Sequence, residues 1–270
     1  MITYAQNFED VILNRALSEV HDGFFVDIGA CFPDVASVTK YFYEKGWSGI
    51  NVEPIPKIFD LLLKDRPRDI NLNFAVGDVV GQTTFYLFED EFGSSTTDLE
   101  LANKQKEKDR PVSTIQVQTT TLNEIFKQYV GKKTVHFLKV DVEGGEGNVI
   151  RSLDLSEYRP WIIVLESMAP WSQISTHEKW EPYLLSHDYH FVYADGLNRF
   201  YLAAEQSQLK DFFIFPPNVF DDFISIRTVQ AEARAWQAEI MLNSIYASRS
   251  WRITAPLRAV LSFIRKYGKH

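Results

Sequence analysis

The segment FFVDIGACFPDVAS, residues 24–37, decides the fold expected for the rest of the chain. A short apolar run that ends in Asp27 and continues to Gly29 is typical of the first strand and glycine loop of a nucleotide-binding α/β fold. A dinucleotide-binding loop has two further glycines, whereas this chain has the sequence CFP at residues 31–33. The segment therefore predicts a strand followed by a ligand-binding turn, and it leaves the ligand open.

Composition places the chain among globular proteins of one large domain, with or without a short appendage. It has 270 residues, of which 45% are hydrophobic, and this is enough to bury a core. The single cysteine, Cys31, excludes an internal disulfide and suits a reducing compartment. We expect no signal peptide, because the N-terminus has neither a basic nor an apolar region. The most apolar stretch, residues 161–165, is far shorter than the roughly 20 residues of a membrane span, so we expect a cytoplasmic protein.

The charge of the chain is distributed unevenly. Its formal net charge is -8, yet no acidic residue follows Glu239. The basic residues of that last segment are Arg249, Arg252, Arg258, Arg265, Lys266 and Lys269. The acidic body argues against nucleic-acid binding, and the basic tail requires a separate explanation.

Apolar runs of strand length alternate with helical patterns, which predicts a parallel sheet with helices on both faces. The predicted strands of this sheet are residues 23–28, 48–52, 70–76, 134–140 and 161–165. The predicted helices are residues 34–45, 56–64, 144–153 and 180–187, with a helical tail from about residue 228. Further strands are expected at 83–88 and 114–118, a capping box at Thr121 and Glu124, a hairpin at 189–202, and a mobile loop at 93–110.

Acidic residues follow each predicted parallel strand. They are Asp27, Glu53, Asp78, Asp141 with Glu143, and Glu166. Ligands of open α/β sheets bind beyond the carboxyl ends of the strands, and acidic side chains are rare in cores. The pattern predicts a polar site at one edge of the sheet, although strand ends are also where chains commonly return to solvent.

Glu53 lies 24 residues after Gly29, where a carboxylate accepts hydrogen bonds from the hydroxyls of an adenosine ribose. NAD and S-adenosylmethionine share this ribose. The pyrophosphate of a dinucleotide requires several glycines at a helix N-terminus, whereas S-adenosylmethionine has no phosphate. One glycine therefore favours S-adenosylmethionine, and a nicotinamide-dependent oxidoreductase is the alternative. Gly77 and Asp78 are predicted either to contact the adenine or to form an ordinary turn.

The stretch FLKVDVEGGEGNVI, residues 137–150, is the other candidate for chemistry. Asp141 or Glu143 can act as the base that accepts a proton from an attacking hydroxyl. With Glu166, the same carboxylates can hold a divalent cation such as Mg²⁺. The structural alternative is that Glu143 caps the following helix while Lys139 neutralises Asp141.

Four blocks of the sequence occur in an order and spacing that resemble the FkbM-type family of S-adenosylmethionine-dependent methyltransferases, from about residue 1 to 203. The blocks are YAQNFEDVIL, FVDIGACFPDVASVT with GWSGINVEP, NFAVGD, and FLKVDVEGGEGNVI. The resemblance implies an α/β fold of the class I, Rossmann-like methyltransferase type, with a mainly parallel sheet and helices on both faces. It also implies O-methylation, commonly of sugars or glycosylated natural products.

The resemblance assigns site residues by position in this sequence. The expected cofactor-binding residues are Asp27, Gly29, Ala30, Glu53, Gly77 and Asp78, with Gln6, Asp10 and Tyr4 closing over the cofactor. Asp141, Glu143 and Gly144 match the D-x-E-G block of the family. With Lys139 on the same face as Asp141, the expected catalytic residues are Asp141, Glu143 and Lys139, and the strand-end pattern makes Asp141 and Glu166 the candidate metal ligands. Residues 31–33 depart from the many family members that have Asn and Gly after the D-I-G-A core.

The stretch YASRSWRITAPLRAV near the C-terminus resembles a segment appended to many bacterial polysaccharide-assembly glycosyltransferases and methyltransferases. It implies synthesis of a surface glycan of the O-antigen or capsule type, with a glycan or glycolipid acceptor. Trp251, Leu257, Phe263 and Ile264 among basic residues can dock on an anionic membrane face or a partner. Alternatively, the tail packs on its own domain or on a second subunit.

We therefore expect a methyltransferase domain at residues 1–227 and a helical basic tail at residues 228–270. The expected function is S-adenosylmethionine-dependent O-methylation of a sugar hydroxyl in bacterial surface polysaccharide biosynthesis. The expected location is the cytoplasm, peripheral to the inner face of the membrane. A non-catalytic methyltransferase-like scaffold in a glycan-assembly complex is a second class of function, and the oxidoreductase is a third.

Overall fold

The computed structural model describes residues 1–267, apart from the side chains of residues 263, 264, 266 and 267. The parts of the tail prediction that concern Phe263, Ile264, Lys266 and Lys269 lie outside the described residues. The chain divides into two compact units, one of Met1 with Thr3–Phe223 and one of Ile2 with Ile224–His270.

The chain forms twelve strands and ten α-helices within the described residues. The strands are β1 (Ile2–Thr3), β2 (Phe24–Ile28), β3 (Ser48–Val52), β4 (Ile70–Leu72), β5 (Ala75–Val76), β6 (Gly81–Leu87), β7 (Ser113–Thr120), β8 (Phe137–Val140), β9 (Ile162–Glu166), β10 (Tyr189–Ala194), β11 (Asn198–Ala203) and β12 (Ile224–Ser225). The helices are α1 (Glu9–Ala16), α2 (Lys40–Glu44), α3 (Pro56–Asp65), α4 (Leu99–Lys106), α5 (Leu122–Ile125), α6 (Glu146–Arg151), α7 (Glu181–Leu185), α8 (Ile226–Ala247), α9 (Arg249–Ile253) and α10 (Ala255–Tyr267).

A seven-stranded sheet forms the centre of the first unit, in the order β10-β11-β9-β8-β2-β3-β4. The pairs β9–β8, β8–β2, β2–β3 and β3–β4 are parallel. The hairpin of β10 and β11 adds to β9 in the antiparallel direction. The carboxyl ends of β2, β3, β8 and β9 consequently meet at one edge of the sheet.

Two hydrophobic clusters cover the sheet. Val26 of β2 packs in one cluster with helical residues such as Leu122 and Val149. Its neighbour Phe25 packs in the other cluster with Ile12 and Phe42. Because successive side chains of a strand point to opposite faces, helices cover the sheet on both sides. The resulting fold is a mixed α/β fold.

The predicted helix at residues 34–45 is correct only for its second half, because α2 begins at Lys40. The preceding residues form a loop, which side-chain hydrogen bonds fix at two points. Thr39 donates a hydrogen bond to Asp27, and the guanidinium of Arg66 donates to the carbonyl oxygen of Pro33. Val35, at the start of the predicted helix, is 53% exposed and lies in this loop.

The predicted strand at residues 70–76 is two strands. β4 belongs to the large sheet, whereas β5 pairs with β7 in a separate sheet of order β5-β7-β6. The side chain of Asn73 between them donates hydrogen bonds to the carbonyl oxygens of Glu53 and Pro54. These side-chain bonds replace the strand ladder at that point and turn the chain away from the large sheet.

The predicted loop at residues 93–110 contains structure. A 3-10 turn spans Phe92–Ser94, and α4 follows. Asp98 caps α4 by accepting hydrogen bonds from the amides of Glu100 and Leu101, and Ala102 is buried. The polar composition of the segment concealed this short amphipathic helix. The expected capping residue Thr121 does accept a hydrogen bond from the amide of Glu124.

The second unit consists chiefly of α8, α9 and α10. None of the 22 residues of α8 is buried among the described parts of the chain. The helix ends at Ser248, whose hydroxyl accepts from the amide of Trp251 and so begins α9. Pro256 lies in the first turn of α10, where proline is tolerated. Across the described residues, no helix combines the length and the apolar character needed to cross a membrane.

Candidate active site

Two cavities open at the edge of the large sheet where the parallel strands end. The slot is the smaller cavity, and its apolar walls include Val52, Ile55, Phe74, Phe85 and Phe92. The cleft is a cavity of about 710 Å³ whose lining includes Gln6, Ala30, Lys139, Glu166, Met168 and Trp171. The two cavities share Gly29, Cys31, Gly93, Asp141 and Glu143. We call the region of these five shared residues the junction.

The turn after β2 explains the single glycine of the loop. Gly29 has a φ of +77°, and a β-carbon there would lie 1.8 Å from the backbone oxygen of Asp141. The amides of Gly29 and Ala30 both donate to the carbonyl oxygen of Val52. Only glycine combines this dihedral angle with this close approach, so the residue is required by the contact between the β2 turn and the chain after β8.

Glu53 follows β3 and lines the slot. Its two carboxylate oxygens accept hydrogen bonds from the amides of Cys31 and Ile55, at 3.0 and 2.8 Å. Burial raises the pKa of Glu53 to about 7. Each carboxylate oxygen has a further lone pair, so the fixed side chain is able to accept additional hydrogen bonds from a ligand in the slot.

Lys139 lies between two carboxylates. Its Nζ is 3.6 Å from Oδ1 of Asp27 and 3.2 Å from Oδ2 of Asp141. Burial alone lowers the pKa of Lys139, but Asp141 and Asp27 outweigh burial and raise it above its ordinary value. The ammonium group is therefore charged at neutral pH.

Asp27 itself is buried and lies in the lining of neither cavity. Burial raises the pKa of its carboxyl, and Lys139 and Thr39 oppose that rise. The expected contact of Asp27 with the cofactor stays a prediction, and in this structure its carboxylate contacts Lys139 and Thr39. Its contacts fix Lys139, which does line the cleft.

Three carboxylates converge at the junction and the adjacent wall of the cleft. One oxygen from each of Asp141, Glu143 and Glu166 lies within 4.8 Å of the others. Burial, followed by the charge of Asp141, raises the pKa of both Glu143 and Glu166. Negative charge on Asp141 thus opposes the ionisation of these two glutamates.

Glu146, and not Glu143, caps the helix that follows β8. One oxygen of Glu146 accepts hydrogen bonds from the amides of Val142 and Gly144, at 3.2 and 3.0 Å. Glu143 has a left-handed φ of +57° and lines both cavities. The capping role considered for Glu143 is therefore wrong, whereas the expected pairing of Lys139 with Asp141 is present.

The structure brings only some of the other expected cofactor residues to the cavities. Gln6 lines the cleft. Asp10 is buried and accepts hydrogen bonds from Thr3 and from the amide of Tyr4, so it fixes the N-terminal segment and lines neither cavity. The hydroxyl of Tyr4 donates to Glu44.

Gly77 and Asp78 lie in the turn between β5 and β6. In the part of the chain that the structure describes, they line neither the slot nor the cleft. They belong to the small sheet because the strand before them leaves the large sheet. The apolar residues that precede them, including Phe74 and Val76, line the slot instead. The expected contact of Gly77 and Asp78 with adenine stays a prediction, and their neighbours Phe74 and Val76 are the residues of this segment that line the slot.

Two parts of the site had no signal in the sequence pattern. Residues 92–97 supply Phe92, Gly93, Ser95 and Thr97 to the slot, although they belong to a segment expected to be a loop. Trp171 lies in the cleft, is 41% exposed, and donates from its indole nitrogen to Glu91. Exposed aromatic residues outside strands and helices carry no periodicity, so only their residue types mark them as candidates.

Comparison with known proteins decides the family. Residues 27–191, more than half of the chain, match the family described as the methyltransferase FkbM domain. The chain belongs to this FkbM methyltransferase family. The resemblance inferred from the four sequence blocks is thereby confirmed. No protein in the curated collection matches the chain.

The FkbM match has a direct bearing on the site. It includes Gly29, Glu53, Asp141, Glu143 and Glu166, whereas Gln6 and Asp10 precede it. The slot, the junction and most of the cleft thus lie within the methyltransferase domain. The family assigns the protein to the methyltransferases and suggests S-adenosylmethionine as methyl donor.

Proposed function

We propose that this FkbM-family protein transfers a methyl group from S-adenosylmethionine to a hydroxyl oxygen of a sugar. The observation that carries the proposal is the junction, where an apolar slot beside Glu53 opens into a polar cleft that contains carboxylates. The parallel pairs among β4, β3, β2, β8 and β9 support a class I, Rossmann-like methyltransferase fold. In that fold, ligands bind at this edge of the sheet.

The residues of the slot fit the adenosine part of the donor. Ile55, Phe74 and Phe85 provide apolar surfaces for a flat base. Glu53 is held by two backbone amides so that its remaining lone pairs can accept from the ribose hydroxyls. The turn at Gly29 has no further glycines for a pyrophosphate, which favours this donor over a dinucleotide. The donor supplies an electrophilic methyl group.

Asp141 is the residue that we assign to proton removal. A hydroxyl must lose its proton as its oxygen attacks the methyl carbon, and a carboxylate within hydrogen-bond reach accepts that proton. Asp141 lies at the junction and is paired with the charged Lys139. Glu143 is the weaker candidate, because burial and the charge of Asp141 raise the pKa of its carboxyl and so favour the protonated form.

The cleft supports a sugar as acceptor. Trp171 presents an exposed aromatic ring, and Glu91, Ser172 and Gln173 place polar groups in the same lining. An apolar ring beside hydrogen-bonding groups suits a sugar, which has apolar C–H faces and polar edges. The resemblance of the C-terminal segment to polysaccharide-assembly enzymes supports an acceptor in bacterial surface glycan biosynthesis, such as an O-antigen or capsule.

Calorimetry with S-adenosylhomocysteine tests the donor site. We expect the wild-type protein to bind this product and the Glu53→Ala variant to bind it at least tenfold more weakly. The control is Glu178→Gln, a substitution at an exposed position, which is expected to bind like wild type. Failure of the wild type to bind contradicts the proposal, and fluorescence quenching or enhancement with NADH in its place supports the oxidoreductase. Donor binding without methyl transfer to any surface-glycan acceptor supports the non-catalytic scaffold.

We also propose that residues 1–227 are the methyltransferase domain and that residues 228–270 dock on an anionic membrane surface. Trp251 of α9 and Leu257 and Leu261 of α10 are exposed, and Arg258 and Arg265 also lie on α10. An apolar and basic helix without acidic residues binds anionic lipid headgroups. The methyltransferase then acts at the cytoplasmic side of the membrane.

Vesicle sedimentation tests the docking. We expect the protein to sediment with vesicles that contain phosphatidylglycerol and to remain in solution with pure phosphatidylcholine, and we expect Leu257→Glu to abolish sedimentation. Equal recovery of Leu257→Glu and wild type with the vesicles contradicts membrane docking. A change in the mass of Leu257→Glu by light scattering supports a second copy of the chain as the occupant instead.

A further inference from the structure

Glu166 has a property that methyl transfer does not require. Its side chain is 7% exposed, and its Oε2 has no hydrogen-bond partner among the described residues. A buried carboxylate oxygen without a partner is costly. Glu166 ends β9 and lines the cleft, so a ligand in the cleft is the available source of a partner.

The neighbouring strand brings a second carboxylate beside Glu166. β8 and β9 are parallel, and Val140 is in register with Leu165. The residues that follow in each strand are Asp141 and Glu166, so the register places them side by side. Glu143 completes the group, with one oxygen from each of the three carboxylates within 4.8 Å of the other two.

The basic side chains of the protein do not neutralise the carboxylates of Asp141, Glu143 and Glu166. Lys139 contacts Asp27 and Asp141. Across the described part of the chain, neither Glu143 nor Glu166 forms an ion pair with Lys, Arg or His. The junction thus contains more carboxylates than ammonium or guanidinium groups, and it is open to the cleft.

We propose that Asp141, Glu143 and Glu166 bind one hard divalent cation of the Mg²⁺ class on the wall of the cleft. All three donors are carboxylate oxygens, which Mg²⁺, Mn²⁺ and Ca²⁺ prefer over softer metals. Oxygens on opposite sides of a metal are about 4.2 Å apart for Mg²⁺ and about 4.8 Å apart for Ca²⁺ at their usual bond lengths. The three donor oxygens, each within 4.8 Å of the other two, can therefore close around one ion through shifts of their side chains.

The cation has a consequence for the acceptor, and that consequence rests on the proposed function. Three protein ligands leave coordination positions of a six-coordinate ion open to the cleft. An acceptor hydroxyl that binds there loses its proton more easily, because the cation stabilises the resulting alkoxide. The proton passes to the oxygen of Asp141 that does not bind the cation, and the acceptor oxygen then forms its bond to the methyl carbon as the bond from that carbon to sulfur breaks. Cation binding itself does not depend on this step.

Titration with Mn²⁺ alone tests the site, with free Mn²⁺ measured by its electron paramagnetic resonance signal. We expect the full-length protein to bind one Mn²⁺ per chain and Mg²⁺ to displace it. Glu166→Gln and Glu143→Gln each remove one charged ligand, so each is expected to weaken Mn²⁺ binding at least tenfold. The exposed Glu178→Gln is the matched control and is expected to retain the site.

Two results overturn the proposal: no stoichiometric Mn²⁺ binding by the wild type, or the same affinity in Glu166→Gln as in the wild type. Circular dichroism and thermal melting show whether each variant is folded. If a variant is unfolded, the Mn²⁺ titration of the wild type alone decides whether the cation site exists. Calorimetry with S-adenosylhomocysteine in the presence of EDTA separates this inference from the function. Cofactor binding without Mn²⁺ binding contradicts only the cation site, and Mn²⁺ binding without cofactor binding contradicts only the methyltransferase mechanism.

Discussion

The α-carbon of Gly29 lies so close to the chain after β8 that an added β-carbon would be 1.8 Å from the backbone oxygen of Asp141. Gly29→Ala must therefore move either the turn or the residue assigned to proton removal. We expect the free energy of unfolding to fall by more than about 2 kcal/mol, because the left-handed φ adds about 1–2 kcal/mol to the cost of the clash. Urea denaturation measures this loss.

Gly77→Ala is the matched control for that substitution. No atom lies within 4 Å of a β-carbon at Gly77, and its φ is not in the left-handed region. The control is expected to unfold at the same urea concentration as the wild type. A Gly29→Ala variant with wild-type stability would contradict the close approach.

Glu53 predicts a pH dependence of cofactor affinity. Burial raises the pKa of its carboxyl to about 7, and only the ionised form accepts from both ribose hydroxyls. Affinity for S-adenosylhomocysteine is expected to rise about tenfold between pH 6 and pH 8, as the ionised fraction rises. Calorimetry across this range measures it, and Glu53→Gln is expected to bind weakly with no such rise. A wild-type affinity that is flat with pH would contradict the ribose contact.

The same titration affects stability in the opposite direction. A buried carboxyl whose pKa is higher in the folded state than its ordinary value of 4.5 binds its proton more tightly when folded. Its contribution to the free energy of unfolding is complete below pH 4.5 and is lost as pH rises through about 7. Without ligand, the stability advantage of wild type over Glu53→Gln is therefore expected to decrease between pH 5 and pH 8.

Lys139 is predicted to be essential to the stability of the sheet edge. Lys139→Met leaves the buried Asp27 and its neighbour Asp141 without a cation, and an uncompensated buried charge costs about 3–5 kcal/mol. Urea denaturation is expected to show that loss. The double variant Lys139→Met/Asp27→Asn is expected to lose less than the sum of the two single variants, by about 1 kcal/mol or more. Additive losses would contradict the direct interaction.

Cys31 is predicted to be unreactive in the folded protein. Burial, followed by the charge of Glu53, raises the pKa of its thiol to about 12, and the thiolate is the reactive form. Because the chain has one cysteine, mass spectrometry after treatment with iodoacetamide reports on this site alone. We expect the folded protein at pH 8 to be alkylated at least tenfold more slowly than the protein in urea. Equal rates would show that the junction is more open than described.

The strongest features of the fold were predictable from the sequence for a simple reason. β2, β3, β8 and β9 are buried apolar runs, and each ends in or beside an acidic residue, a type that is rare in cores. Glu53, Asp141, Glu143 and Glu166 accordingly lie at one edge. Lys139 was also predictable, because alternate residues of a strand share a face with Asp141.

The misplaced residues depended on contacts between distant parts of the chain. Asp27 contacts Lys139 and Thr39, and these side chains keep it away from the cavities. Asn73 ends β4 by donating to carbonyl oxygens some 20 residues earlier. Asp10 fixes its own N-terminal segment. Local periodicity contains no information about such partners.

The hairpin of β10 and β11 is joined to the N-terminal segment. Asn198 donates to Glu9 at 2.8 Å, and Asn7 donates to the carbonyl oxygen of Asp195 at 3.1 Å. Gln6 and Leu197, which adjoin these contacts, both line the cleft. The residues that line the slot lie between Ile28 and Gly145 in the chain. On the ribosome, all residues that line the slot therefore emerge before the hairpin, whereas Gln6, which is translated earlier still, must wait for nearly the last of the domain before the cleft is closed.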